Sequence, residues 1–130
     1  MDGSALRSFC LSLPGAFEDF PFGPDFSVFK VRAGAGPARM FALSDLAAEP
    51  LTVSLKCEPV LARQLRAVHP EITGAWHLNK THWNGVRLDG ALADSMVRDM
   101  IEDSYDLVVE RLPRQDREAL GWRRLAEEGR

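Results

Sequence analysis

The sequence predicts an α+β fold: an antiparallel sheet of about five strands with helices packed on it. Three observations carry this. The first helix-like segment, the long one near residue 100 and a shorter one near residue 60 each show apolar residues at helical spacing. Between residues 17 and 56, short runs rich in Val, Phe, Leu and Thr are separated by Gly/Pro turns. Those turns are too short for the crossovers that parallel strands need, so an antiparallel meander is the economical topology.

Residues 2–13 form the first expected helix. Asp2 or Ser4 caps its start, Leu6, Phe9, Cys10 and Leu13 make one apolar face, and Pro14-Gly15 stops it. Residues 17–22 read as an edge strand, because Pro21 interrupts their aromatic pattern. Residues 26–32, 39–43 and 51–56 supply further strands, with 33–37 as a glycine-rich hairpin loop. That loop is not a phosphate cradle, since no Lys-Ser/Thr follows it and no helix starts there. Glu58-Pro59 opens a second helix over 60–68, with Leu61, Leu65 and Val68 on one face. His69-Pro70 ends it. Residues 85–88 read as a strand closed by the Asp89-Gly90 turn. Asp94 is the expected cap of the longest helix, running to about residue 112, with Val97, Met100, Ile101, Ser104, Val108 and Leu112 buried. Asp99, Glu102, Asp103, Asp106 and Glu110 are expected on its solvated side. Pro113 breaks that pattern, and residues 114–126 look like a short last helix. The organisation expected is one domain, 1–130, with 113–130 as a C-terminal helical extension.

Composition narrows the class. The 130 residues are 45% hydrophobic and 27% charged, as in soluble globular domains. No apolar run reaches the ~20 residues of a membrane span, and the first residues lack a signal peptide's pattern, so a cytoplasmic protein without membrane contact is expected. Cys10 and Cys57 are isolated, which indicates neither a disulfide framework nor a zinc ribbon. The net charge of −3 weighs against nucleic-acid binding. Residues 51–90, however, carry five basic against three acidic groups.

Within that mildly basic block, residues 75–86 are the least ordinary stretch: two of the three Trp, two of the three His, one Lys and two Asn. Leu13-Pro14-Gly15-Ala16, Met40-Phe41-Ala42-Leu43, Val53-Ser54-Leu55-Lys56-Cys57-Glu58-Pro59, His77-Leu78-Asn79-Lys80-Thr81-His82-Trp83 and Ser104-Tyr105-Asp106-Leu107-Val108 resemble, in order, the MmcQ/YjbR family. The resemblance implies a small α+β domain, often described as a double wing or frataxin-like fold. The family is usually labelled DNA-binding or uncharacterised. Arg39 stands where many members carry Lys, which keeps the charge.

The candidate chemistry divides three ways. A non-catalytic DNA-binding module would use Lys56, Lys80 and Arg87 on phosphates, Asn79 and Asn84 as hydrogen-bond partners, and Trp76, His77 and His82 beside them. A protein- or small-ligand-binding adaptor would instead show an apolar, concave patch near Trp76. A Cys/His enzyme would need Cys57, with Lys56 lowering its pKa, next to His77 or His82. For each residue the ordinary reading is also open: Cys57 as a structural thiol, Trp83 as core, the two His as packing groups, the charges as solvated surface. The five-residue spacing of His77 and His82 is a poor metal pattern, and neither metal nor cofactor is expected. The acidic face of the long helix reads as solvated, because carboxylates strung along a helix make weak cation sites. Glu18, Asp19 and Asp25 have nothing in sequence to assemble them as an acid/base pair. The DNA module is the reading chosen, as a monomer or weak homodimer.

Overall fold

A computed structural model describes residues 1–122. Helix α1 (Gly3–Ser12) starts where the Asp2 carboxylate accepts the Ala5 N–H at 2.8 Å, and it buries Leu6 and Cys10. Strands β1 (Ala16–Asp19), β2 (Ser27–Val31), β3 (Arg39–Ser44) and β4 (Thr52–Lys56) follow as an antiparallel meander. Helix α2 (Pro59–Val68), β5 (Ile72–Gly74), β6 (Trp83–Arg87), helix α3 (Asp94–Val109) and helix α4 (Arg114–Ala119) are the other elements of the described residues. The six strands stand in the order β1-β2-β3-β4-β6-β5, every neighbour antiparallel.

The sheet has two unlike faces. Phe29 and Val31 of β2, Val53 and Leu55 of β4, Val86 of β6 and Ile72 of β5 pack with α1 and α3 into one core. Between β2 and β3 the register shifts at Phe29/Lys30 of β2, and Phe41 of β3 is the extra residue. That bulge lets Phe41 and Ala42, consecutive in sequence, both enter the core. Tyr105 of α3 meets the Phe41 ring edge-on at 5.5 Å. The buried Ser104 hydroxyl donates to Phe41 O at 2.6 Å and accepts the Lys56 N–H at 2.9 Å, tying α3 to β3 and β4 together. The alternate residues point to the opposite face, where Leu43, Ser54, Gly85 and Thr73 form a row in register across β3, β4, β6 and β5.

Four expectations need correction. Among the described residues there are six strands, one more than the five or so expected, because the three-residue β5 is too short to show a period. Helix α2 buries Ala62 rather than a Leu61/Leu65/Val68 stripe, and Val68 is 70% exposed. The methyl of Ala62 lets the helix backbone approach the sheet, and the Ala62 carbonyl accepts from Asn84 Nδ2 at 3.4 Å. The residue at the cap position of α3 is Ala93, which makes no side-chain capping bond, and the helix ends at Val109 rather than near residue 112. Asp106 is buried instead of solvated, because the chain after α4 returns over it and Trp122 Nε1 donates to its Oδ1 at 3.1 Å. The expected last helix, 114–126, ends at Ala119 with Leu120 as its C-cap, and 123–126 lie outside the described residues.

Candidate functional site

The segment 75–82 joins β5 to β6 and folds over the open face of the sheet. Its shape is set by its own backbone. Asn79 Oδ1 accepts the Thr81 N–H at 2.9 Å, and Asn79 O accepts from His82 N and Trp83 N at 3.1 and 2.9 Å. His77 sits at φ +64, a left-handed conformation that costs a non-glycine residue about 1 kcal/mol or more. The imidazole lies against the Trp76 ring, centroids 3.9 Å apart and tilted by 34°. Trp76 itself is 77% exposed.

Below this segment lies a trough of about 280 Å³. Ser54, Gly85 and Thr73 make a small-residue floor, with Leu43 beside them, while Trp76 and His77 form one wall and Phe26, from the β1–β2 connection, another. Asp45 of the β3–β4 connection also lines it, and among the described residues no Lys or Arg does. An adjoining apolar pocket of about 250 Å³, between Phe22, Phe26, Leu43, His77 and Leu78, continues it. Phe20, Phe22 and Phe26 are all exposed, so the wall from the β1–β2 connection is aromatic and wet, like Trp76 opposite.

The eight residues expected to make one interface do not assemble. Trp76 and His77 line the trough. Asn79 is a turn residue by its bond to Thr81. Lys80 lies beside the other side of the β5 edge: a Cβ on Gly74, which would point the same way as Ile72, would meet the Lys80 stem at 2.9 Å and Arg66 at 3.1 Å. Arg66 Nη1 also donates to Lys80 O at 2.8 Å. His82 is half-buried and its carbonyl accepts the Cys57 N–H at 2.8 Å. Asn84 is 2% exposed on the helix-covered face, its Oδ1 without a partner. Arg87 is paired with Asp89 at 2.6 Å. Lys56 ends β4 opposite Trp83. Partial burial, then the nearby charges of Arg111 and Arg39, hold its ammonium below the usual lysine range. Trp83 is half-buried on the open face, not in the core.

Cys57 lies between α2 and α3 rather than in the trough. Burial first, then Asp103 and Glu58, push its thiol up to about 11, the opposite of an activated thiolate. Among the described residues no group of three or more His, Cys, Asp or Glu is placed to hold a metal ion, and no helix is long and apolar enough to cross a membrane. Sequence reasoning missed Phe26, Leu43, Asp45, Ser54, Thr73 and Gly85 as a site. The alternation of Thr52 and Ser54 with Val53 and Leu55 was the available signal, since it marks an outward row of small polar residues.

Comparisons with known proteins agree with this architecture. The YjbR family model matches residues 11–107. The chain is 34% identical over 117 residues to the uncharacterized protein YjbR of Escherichia coli K12, covering 90% of this chain and 95% of that protein. It is 33% identical over 111 residues to the uncharacterized protein YbdF of Escherichia coli O157:H7, covering 85% and 86%. The crystal structure of Deinococcus radiodurans protein DR2400, described as a DUF419 domain, superposes with TM-score 0.87 at 38% identity, covering 95% of this chain and 90% of that one. A Pseudomonas syringae protein of 27% identity superposes with TM-score 0.69, covering 82% and 98%. With a family model spanning most of its length and relatives above 30% identity, the chain belongs to the YjbR family.

Proposed function

We propose that this protein is a non-catalytic binding module whose ligand seats in the trough on the open sheet face. One observation carries the reading: a floor of small residues, Ser54, Gly85 and Thr73, runs between two aromatic walls that the fold leaves exposed. Ligand sites are concave and mostly apolar, with a few polar groups, and this trough has that make-up. The raised Cys57 thiol, remote from the trough, supports binding over thiol chemistry.

Gly85 supplies the test. A Cβ there meets Ala75 Cα, Thr52 Cγ2 and Thr73 Oγ1 at 3.7 Å, ordinary contact, and a β-branched residue suits a strand, so Gly85→Val should fold with its methyls in the trough, which its thermal unfolding checks. An NMR screen with neutral, cationic and anionic fragments should shift the amides of Leu43, Ser54, Thr73 and Gly85. In Gly85→Val the best fragments should bind at least about tenfold more weakly. Shifts that cluster elsewhere, or that survive the substitution, would sink the reading.

A second reading, DNA binding, draws on Arg39, Lys56 and Arg111, which approach one another at one end of the sheet. None of the three has an ion-pair partner among the described residues. Fluorescence anisotropy with labelled DNA, for the native chain and Lys56→Glu, tests it.

A further inference from the structure

We infer that the trough takes a small organic cation: an ammonium group on a short apolar stem. The inference rests on the trough being the ligand site, and adds the ligand's chemistry. Among the described residues Asp45 is the one carboxylate lining the trough, and no Lys or Arg of these residues lies there to oppose a positive ligand. Its Oδ1 accepts the Ala47 N–H at 3.1 Å, which fixes the carboxylate and leaves Oδ2 to the ligand. Trp76, His77 and Phe26 line the same space, the Trp76 and His77 rings each with one face against the other. Aromatic faces attract cations through their quadrupole, most strongly where water is thinned out, and alkylated ammonium groups suit such walls because they also shed apolar surface. An anionic ligand would face Asp45 with no counter-charge in the lining. A neutral apolar one would leave Asp45 without a role. The net charge of −3 adds a weak general pull on cations. A space of about 280 Å³ matches one such molecule free in solution rather than a protein face.

The test compares choline with its neutral isostere 3,3-dimethylbutan-1-ol, two molecules of nearly equal shape that differ in charge. Each is titrated into the 15N-labelled full chain, and the shifts of Thr73, Gly85 and the Trp76 indole are followed. Choline should bind about tenfold more tightly than the alcohol. Trp76→Ala and Asp45→Asn should each shrink that ratio toward one. Both variants should fold, since Trp76 is exposed and Asn keeps the acceptor that Ala47 uses. Equal affinities in the native chain would overturn the cation inference and leave the trough standing. If neither molecule shifts these three residues, or if Gly85→Val binds both unchanged, the trough reading falls and the inference with it.

Discussion

Lys80 and Asn84 lie four residues apart in sequence, yet one sits at the β5 edge beside Arg66 and the other is sealed under α2. Their side-chain chemistry, cationic and amide, is equally suited to nucleic acid, so composition could not separate them. Pleat direction does: Asn84 follows Val86 into the core, while Trp83 and Gly85 face outward. His77 shows the same limit, since its left-handed φ follows from the loop's closure and not from residue type. Cys10 offers a prediction at this scale. Burial pushes its thiol up from an ordinary 9.0 to about 12. Native Cys10 therefore holds its proton where the unfolded thiol loses it. Its contribution to stability is complete below about pH 9 and is lost as pH rises from there through about 12. Urea denaturation between pH 8 and pH 11 should show a steeper loss in the native chain than in Cys10→Ala, which keeps the raised Cys57 thiol, the excess approaching about 1.4 kcal/mol per pH unit. Parallel pH profiles for the two proteins would refute it.

At the scale of elements, α2 is the instructive case. Its termini were legible: Glu58 caps it by accepting from Val60 N at 3.2 Å and Leu61 N at 3.3 Å, Pro59 opens it, and it stops at His69 before Pro70. Its buried face was not: Leu61, Leu65 and Val68 make a stripe at helical spacing, yet only Leu65 of the three packs against the core, half-buried, while Leu61 and Val68 are exposed. The sheet chose Ala62, the residue that allows close approach to Asn84. Ala62→Leu should accordingly destabilise by about 1–3 kcal/mol through overpacking. Val68→Ser, at a position 70% exposed, should change stability by no more than about 0.5 kcal/mol. Chemical denaturation of both variants checks the pair, and a harmful Val68→Ser with a neutral Ala62→Leu would restore the apolar stripe. The β3 bulge is a similar matter: Phe41 and Ala42 are both fully buried, a pattern that strict alternation forbids and one extra residue permits.

At the scale of the whole molecule, the basic residues of the 51–90 block do not act together. Arg87 is neutralised by Asp89, Lys80 sits at the β5 edge, and Lys56 gathers instead with Arg39 and Arg111 from outside the block. If DNA binds, it binds at that end of the sheet. Three phosphate contacts would give a fall of roughly 40-fold in affinity between 50 and 200 mM salt for duplex DNA. Lys56→Glu should flatten that dependence and Lys80→Glu should leave it unchanged. Salt-independent anisotropy, or an effect of Lys80→Glu alone, would remove the DNA reading from this surface.

The sequence by itself determined the α+β class, the four meander strands, most helix boundaries and, by resemblance, the family. These follow from local signals, namely period, turn chemistry, capping and motif order, and such signals survive in a one-dimensional chain. Only the tertiary structure decided which side of the sheet each residue faces and how a three-residue edge strand anchors the 75–82 segment. It alone brought Phe26, Asp45, Gly85 and Trp76, drawn from four separate segments, around one trough. The physical reason is that a site is a coincidence of distant segments, fixed by strand register and close packing, and neither register nor packing is written in any one stretch of the chain.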